Sequence, residues 1–329
     1  MPVTLTLNYS FAKAPPTHMH NIILHHYPTS PFSEKVRLIL GYKAIPWQSV
    51  MIPRIMPKPD VVALTGGYRR TPFMQIGADI YCDTALMCDE LERRFATPSL
   101  YPTGVPRGLI DTFAQWADTA LFWQGAVGFA FQPKSLAFMF ADAPPEAAKA
   151  FAADRAAMRA GAPRIGPSES AGALKVFLQR LDSMLETQPY LFSDAPSLAD
   201  FSAYHPLWFV RRIEPIAAVL ATVKNVLPWM DRMNAIGHGT STKFSSADAI
   251  ALAASTPTTV ADLPWQDEHG IAPGTAVTIT PLDYAFDAVV GSLVIATANQ
   301  LAIKRSDERA GEVIVHFPRL GYKLERTAA

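Results

Sequence analysis

Two positions stand where a side chain meets the start of a helical pattern. Ser30 precedes Pro31, and Asp83 precedes Thr84. A hydroxyl or carboxylate there caps the first free N–H groups of a helix, and proline suits the first helical position. Four histidines, His18, His20, His25 and His26, crowd together near the N-terminus and raise the question of metal ligation. A tail meeting a strand would not hold them in tetrahedral geometry, so no metal site is expected. The two cysteines, Cys82 and Cys88, offer no disulfide framework. They read as packing residues of a protein kept in a reducing, cytoplasmic compartment.

These residues need elements to position them. Residues 1–20 show Ala14-Pro15-Pro16 and no periodicity, and read as a flexible tail with no secretory pattern. Ile22-Ile23-Leu24 is a short β-type run ended by Tyr27-Pro28-Thr29. A helix follows from Pro31, with Val36, Ile39 and Leu40 as its apolar stripe. A second strand is expected over 47–52, then irregular chain around Pro53, Pro57 and Pro59. Phe73 to Ile76 and Ile80 to Cys82 form a hairpin about Gly77-Ala78-Asp79, and the helix after Asp83 turns Thr84, Cys88, Leu91 and Phe95 inward. Residues 21–101 thus make one compact α/β unit. Residues 107–250 read as all-helical, with a stripe of Leu174, Phe177, Leu178, Leu181 and Leu185 and a capping box at Ser197-Leu198-Ala199-Asp200. Over 262–329 the pattern turns to alternation: Val277/Ile279, Leu293/Ile295, Leu301/Ile303, Val313/Val315/Phe317 and Tyr322/Leu324. That predicts five short strands in a small barrel-like domain.

Composition narrows the function. The chain has 329 residues, room for two or three domains, with 29 Lys+Arg against 29 Asp+Glu. Zero net charge argues against nucleic-acid binding, which needs a basic excess. No apolar run approaches the roughly 20 residues of a membrane helix. Charged residues make up 18% of the chain, below the usual ~25%. So sparse a charged surface points to burial of part of it against another subunit.

The segment Tyr27-Pro28-Thr29-Ser30-Pro31-Phe32-Ser33-Glu34-Lys35-Val36-Arg37 resembles the glutathione transferase superfamily. So do Arg70-Thr71-Pro72-Phe73, Asp83-Thr84 and the Ser197 to Asp200 box, in the order and spacing of that family across roughly residues 21 to 245. The resemblance implies a thioredoxin-like domain followed by an all-helical domain, commonly dimeric, with glutathione as co-substrate and no metal. The C-terminal strands are the departure from it. Main-chain atoms beside a cis-proline would pair with the extended tripeptide, and Thr71 and Pro72 match that position. Asp83 and Thr84 match the pair that holds the γ-glutamyl amine and carboxylate. Arg69-Arg70 either pairs with the glycine carboxylate of glutathione or lies on the surface, and Lys58 lies where other members place a contacting base.

Ser30 matches the catalytic position, where a hydroxyl donates to the glutathione sulfur. Moving a thiol pKa from about 8.5 to near neutrality takes roughly 2 kcal/mol. One charge-assisted hydrogen bond supplies roughly 1.5–3 kcal/mol and a helix N-terminus roughly 0.3–1 more. No general base is then required. His26 and Tyr27 are rivals for the role. The absence of cysteine from Ser30-Pro31-Phe32-Ser33 disfavours thiol–disulfide exchange. Phe113, Trp116, Phe122 and Trp123 are candidate walls for the pocket of a small apolar electrophile. The resulting expectation is a serine-type glutathione transferase. The alternative is a non-catalytic binding or assembly protein whose C-terminal barrel recruits a partner.

Overall fold

A computed structural model describes residues 21–162, 165–266 and 268–327. The expected tail, with His18 and His20, lies outside them. The first unit runs β1 (Ile22–His26), α1 (Pro31–Tyr42), β2 (Trp47–Met51), α2 (Pro59–Thr65), β3 (Phe73–Ile76), β4 (Asp79–Cys82) and α3 (Thr84–Arg94). β1 pairs parallel with β2, with Ile22 opposite Trp47, and antiparallel with β3; β3 and β4 form the hairpin. All five residues of β1 are buried, as befits a strand covered on both faces.

The helical region begins with α4 (Arg107–Trp116), which widens into a π-helical segment, Ala117–Val127. It continues through Pro145–Met158, Pro167–Met184, Leu198–Arg211 and Val226–Ala235. At the start of Leu198–Arg211, Asp200 accepts from the Ser197 N–H at 2.9 Å, the Leu191 N–H at 2.9 Å and Trp229 Nε1 at 3.0 Å. The expected box therefore also ties a second helix to the first. The segment 241–255, which the sequence reading leaves within the helical region, returns to the sheet. β5 (Ser241–Lys243) pairs with β2, and the helix Ser246–Ser255 packs on α2.

The five expected C-terminal strands are β6 (Ala276–Pro281), β7 (Val289–Ala296), β8 (Gln300–Asp307), β9 (Gly311–Pro318) and β10 (Tyr322–Arg326). They do not stand apart. β9 pairs parallel with β4, Ile80 opposite Val315, giving one sheet ordered β10-β6-β7-β8-β9-β4-β3-β1-β2-β5. His316 stacks on Tyr81 with ring centroids 4.5 Å apart and meets Asp79 at 2.8 Å. The far strand curls back, because Tyr322 of β10 touches Phe317 of β9 at 5.4 Å. At the two ends of the strand order, the exposed residues of β5 and the charged Lys323, Glu325 and Arg326 of β10 discourage further pairing. The extension is also locked to α2, where Arg305 donates to the Ala63 carbonyl at 2.6 Å. Gly66, at φ 76°, lies against that arginine, and a Cβ there would approach its Nε to 2.7 Å. One apolar core runs through all three regions, from Ile22 through Trp229 to Leu324.

Candidate functional site

Two helix starts face one corner beside Thr71 and Pro72. Ser30 caps α1, its Oγ accepting from the Ser33 N–H at 3.2 Å, and its proton points to the Thr71 carbonyl across a long 3.4 Å. The Thr71–Pro72 bond is cis. Asp83 caps α3 by accepting from the Ala85 N–H at 3.0 Å. Its other oxygen lies 4.0 Å from Arg70 Nη1. Thr84, on the same helix start, is buried. Ser30, Thr71, Pro72, Arg70, Asp83 and Thr84 are thus brought together. Lys58 borders them, donating to the Arg69 carbonyl at 3.3 Å and to Thr71 Oγ1 at 3.4 Å. Burial, reinforced by the Arg155 charge, brings its ammonium down to about 8. Arg69 turns away to pair with Asp154.

Of the two rivals to Ser30, His26 is engaged within the protein. Arg37 Nη1 can only donate, so it makes His26 Nδ1 an acceptor at 3.1 Å; His26 Nε2 then donates to Ser49 Oγ at 2.8 Å. Both ring nitrogens are engaged, and burial foremost, with the Arg37 charge beside it, lowers this histidine to about 3. His26 therefore has no free N–H in this arrangement. Tyr27 is half-buried against the core and its hydroxyl has no hydrogen bond among the described residues. His25, the other described member of the histidine group, is bonded to Gln75 at 2.9 Å and stacked on Phe73 at 4.1 Å. Among the described residues no group of three or more His, Cys, Asp or Glu is placed to hold a metal. Cys82 and Cys88 are buried free thiols, and burial pushes Cys88 up to about 12.

The four aromatic candidates divide. Phe113 packs on Phe192 at 5.2 Å and Trp116 on Phe177 at 5.2 Å, contacts inside the helical region. Phe122 meets Phe32 of α1 at 4.6 Å, and Trp123 meets Tyr284 at 4.8 Å.

Tyr284 belongs to a set that sequence reasoning missed. The turn between β6 and β7 brings Asp283 and the Tyr284 carbonyl onto Arg70 Nη2. The Tyr284 ring covers the guanidinium 3.9 Å from its centroid. Tyr322 of β10 donates to Asp83 Oδ2 at 3.0 Å. On the far side Arg159 lies 4.4 Å from the Trp123 ring centroid. Two rings in edge-to-face contact, Trp123 and Tyr284, therefore sit between two cations, Arg159 and Arg70, drawn from all three regions. Two aromatics flanking an otherwise exposed turn were the available signal, but no local pattern assigns them to Arg70.

Residues 24–99 match the family model for the glutathione S-transferase N-terminal domain, and residues 138–236 match that for the C-terminal domain. A GST-like protein from Pseudomonas syringae of known structure is 41% identical, with 94% of this chain and 100% of that one covered and a TM-score of 0.76. A glutathione S-transferase from Rhodospirillum rubrum shares the fold at 16% identity, covering 65% of this chain and 87% of its own, with a TM-score of 0.50. FtsZ-localized protein A of Caulobacter vibrioides is 24% identical over 185 residues, 55% of this chain and 73% of that protein.

Proposed function

This chain belongs to the glutathione S-transferase family, and on that premise we propose that it is a glutathione-dependent transferase of the serine type. In this reading Asp83 takes the γ-glutamyl amine, and Thr84 with Arg70 takes the carboxylate. The main chain at Thr71 and Pro72 pairs with the cysteinyl residue, and the Ser30 hydroxyl donates to the sulfur. The convergence of two capped helix starts on one corner carries the reading, because both ends bear N–H groups that favour an anion. The Ser30 proton now spans 3.4 Å to a carbonyl, so little is lost when it turns to a thiolate. Phe32, Phe122 and Trp123 supply an apolar wall for the electrophile. A homodimer in a reducing, cytoplasmic setting completes the proposal, supported by the low charged fraction and the two free thiols.

A non-catalytic binding or assembly role is the second reading. It is favoured by the self-occupied Arg70–Asp83 end of the corner and by the relationship to a protein named for its localisation with FtsZ. Calorimetric titration with glutathione separates the two, together with turnover assays on aryl halides and hydroperoxides. Saturable binding at millimolar ligand with turnover supports the enzyme. Binding without turnover favours the second reading, and no binding ends the glutathione assignment. With glutathione bound, Ser30→Ala is expected to raise its thiol pKa by roughly one to two units, the equivalent of one charge-assisted hydrogen bond. Loss of thiolate absorbance reads this shift; an unchanged titration would leave Ser30 with capping alone.

A further inference from the structure

An amino-acid head group offers a binding site a carboxylate and, a few ångströms away, an N–H donor. The C-terminal extension offers the Arg70–Asp83 pair the same complement. Asp283 supplies a carboxylate to Arg70, and Tyr322 supplies an O–H to Asp83 at 3.0 Å. The two receiving groups are themselves 4.0 Å apart, which makes this one subsite rather than two.

The two side chains, Asp283 and Tyr322, differ in how firmly they are held. Tyr322 sits in β10, nearly enclosed at 7% exposure. Asp283 sits on the 282–288 turn, where its side chain is 44% exposed and Leu282, Phe286, Asp287 and Ala288 are exposed around it. That turn is tied down by the Leu282 N–H to the Gly321 carbonyl at 2.9 Å and the Ala285 N–H to the Met158 carbonyl at 2.6 Å. Water and salt screen a half-exposed carboxylate, so its contact with Arg70 exchanges readily. Arg70 is only 6% exposed, and if Asp283 departed alone its remaining counter-charge would be Asp83 at 4.0 Å, which Tyr322 already engages. Exchange for another carboxylate is therefore favoured over simple opening.

We propose that Asp283 and Tyr322 act as an internal stand-in for the γ-glutamyl head group, so that the docked 282–288 strap and glutathione exclude one another at Arg70 and Asp83. This rests on the glutathione reading above. The strap then sets both affinity and selectivity. A thiol peptide lacking the γ-glutamyl head cannot displace it, and glutathione binds in proportion to the fraction of molecules whose strap is out. A site free one-tenth of the time binds about tenfold more weakly than an open one. By reciprocity, bound glutathione releases the turn and uncovers Trp123.

The test uses the full chain. Glutathione affinity is measured for the unaltered protein, Asp283→Ala and Tyr322→Phe, while hydrogen exchange of the 283–288 amides is followed with and without saturating glutathione. The proposal expects Asp283→Ala to bind about tenfold or more tightly, Tyr322→Phe to gain less, and glutathione to speed exchange across the turn in the unaltered protein. Asp283 is exposed and Tyr322→Phe keeps its ring, so both variants should fold; thermal melts check this. Equal affinities with unchanged exchange overturn the strap while leaving the glutathione reading intact. Failure of all three proteins to bind overturns both.

Discussion

The thioredoxin-like unit is fastened to its two neighbours by polar contacts of different character. Toward the helical region, Lys35 of α1 meets Asp118 at 2.6 Å, and Asp118 meets His205 at 2.9 Å, beneath Phe32 and Phe122. The Lys35 side chain is 1% exposed. Burial alone would lower the Lys35 ammonium and raise the Asp118 carboxyl, but each charge holds the other ionised. Toward the extension, the buried Arg70 meets a carboxylate that water reaches freely. A buried pair cannot lose one member without stranding the other, whereas a half-exposed pair can trade partners. The first contact is enclosed, and the second is the one the strap proposal has yield to a ligand.

The sharpest way to break this contrast is Asp118→Asn. It leaves the Lys35 ammonium enclosed without its counter-charge and should cost about 3–5 kcal/mol in urea unfolding. A loss below ~1 kcal/mol would place this pair with surface contacts.

Acid probes the enclosed side next. Burial foremost lowers His25 to about 4 and His26 to about 3, and it also holds His205 below its ordinary value. Between pH 6.5 and about 4 the unfolded chain therefore binds protons that these folded histidines refuse. Stability should fall as pH drops through that window, by about 2 kcal/mol per sheet histidine between pH 7 and 5. Unfolding midpoints at the two pH values measure the loss, and His25→Gln should reduce it. A flat profile would mean that the buried rings accept protons.

The smallest expected effect is on the extension side. Asp283→Ala should change global stability by no more than about 1 kcal/mol, since it removes a half-exposed ion pair. A loss as large as that of Asp118→Asn would make both contacts structural and erase the distinction.

Much of the corner was legible in sequence because helix starts are local. Ser30 ahead of Pro31 and Asp83 ahead of Thr84 announce their helices within a few residues, and the structure shows both as N-caps. The hairpin at Gly77 and the five alternating C-terminal strands are equally local. The partners of His26 were not legible, because Arg37 lies on the next helix and Ser49 on the neighbouring strand. Nor were those of Phe113 and Trp116, because helical periodicity marks an apolar face without saying which neighbour covers it.

Residue order alone specified most of the elements of the first unit and the extension, several caps and the identity of the family, because each depends on side chains a few positions apart. Only the tertiary structure decided that β9 would complete the edge of β4, and that Asp283 and Tyr322 would reach Arg70 and Asp83 across 213 and 239 positions. An edge strand takes whichever partner the rest of the fold brings beside it, and a lone exposed carboxylate bears no periodic mark of the cation it will meet. Pairings of that kind belong to the whole chain and are written in no segment of it.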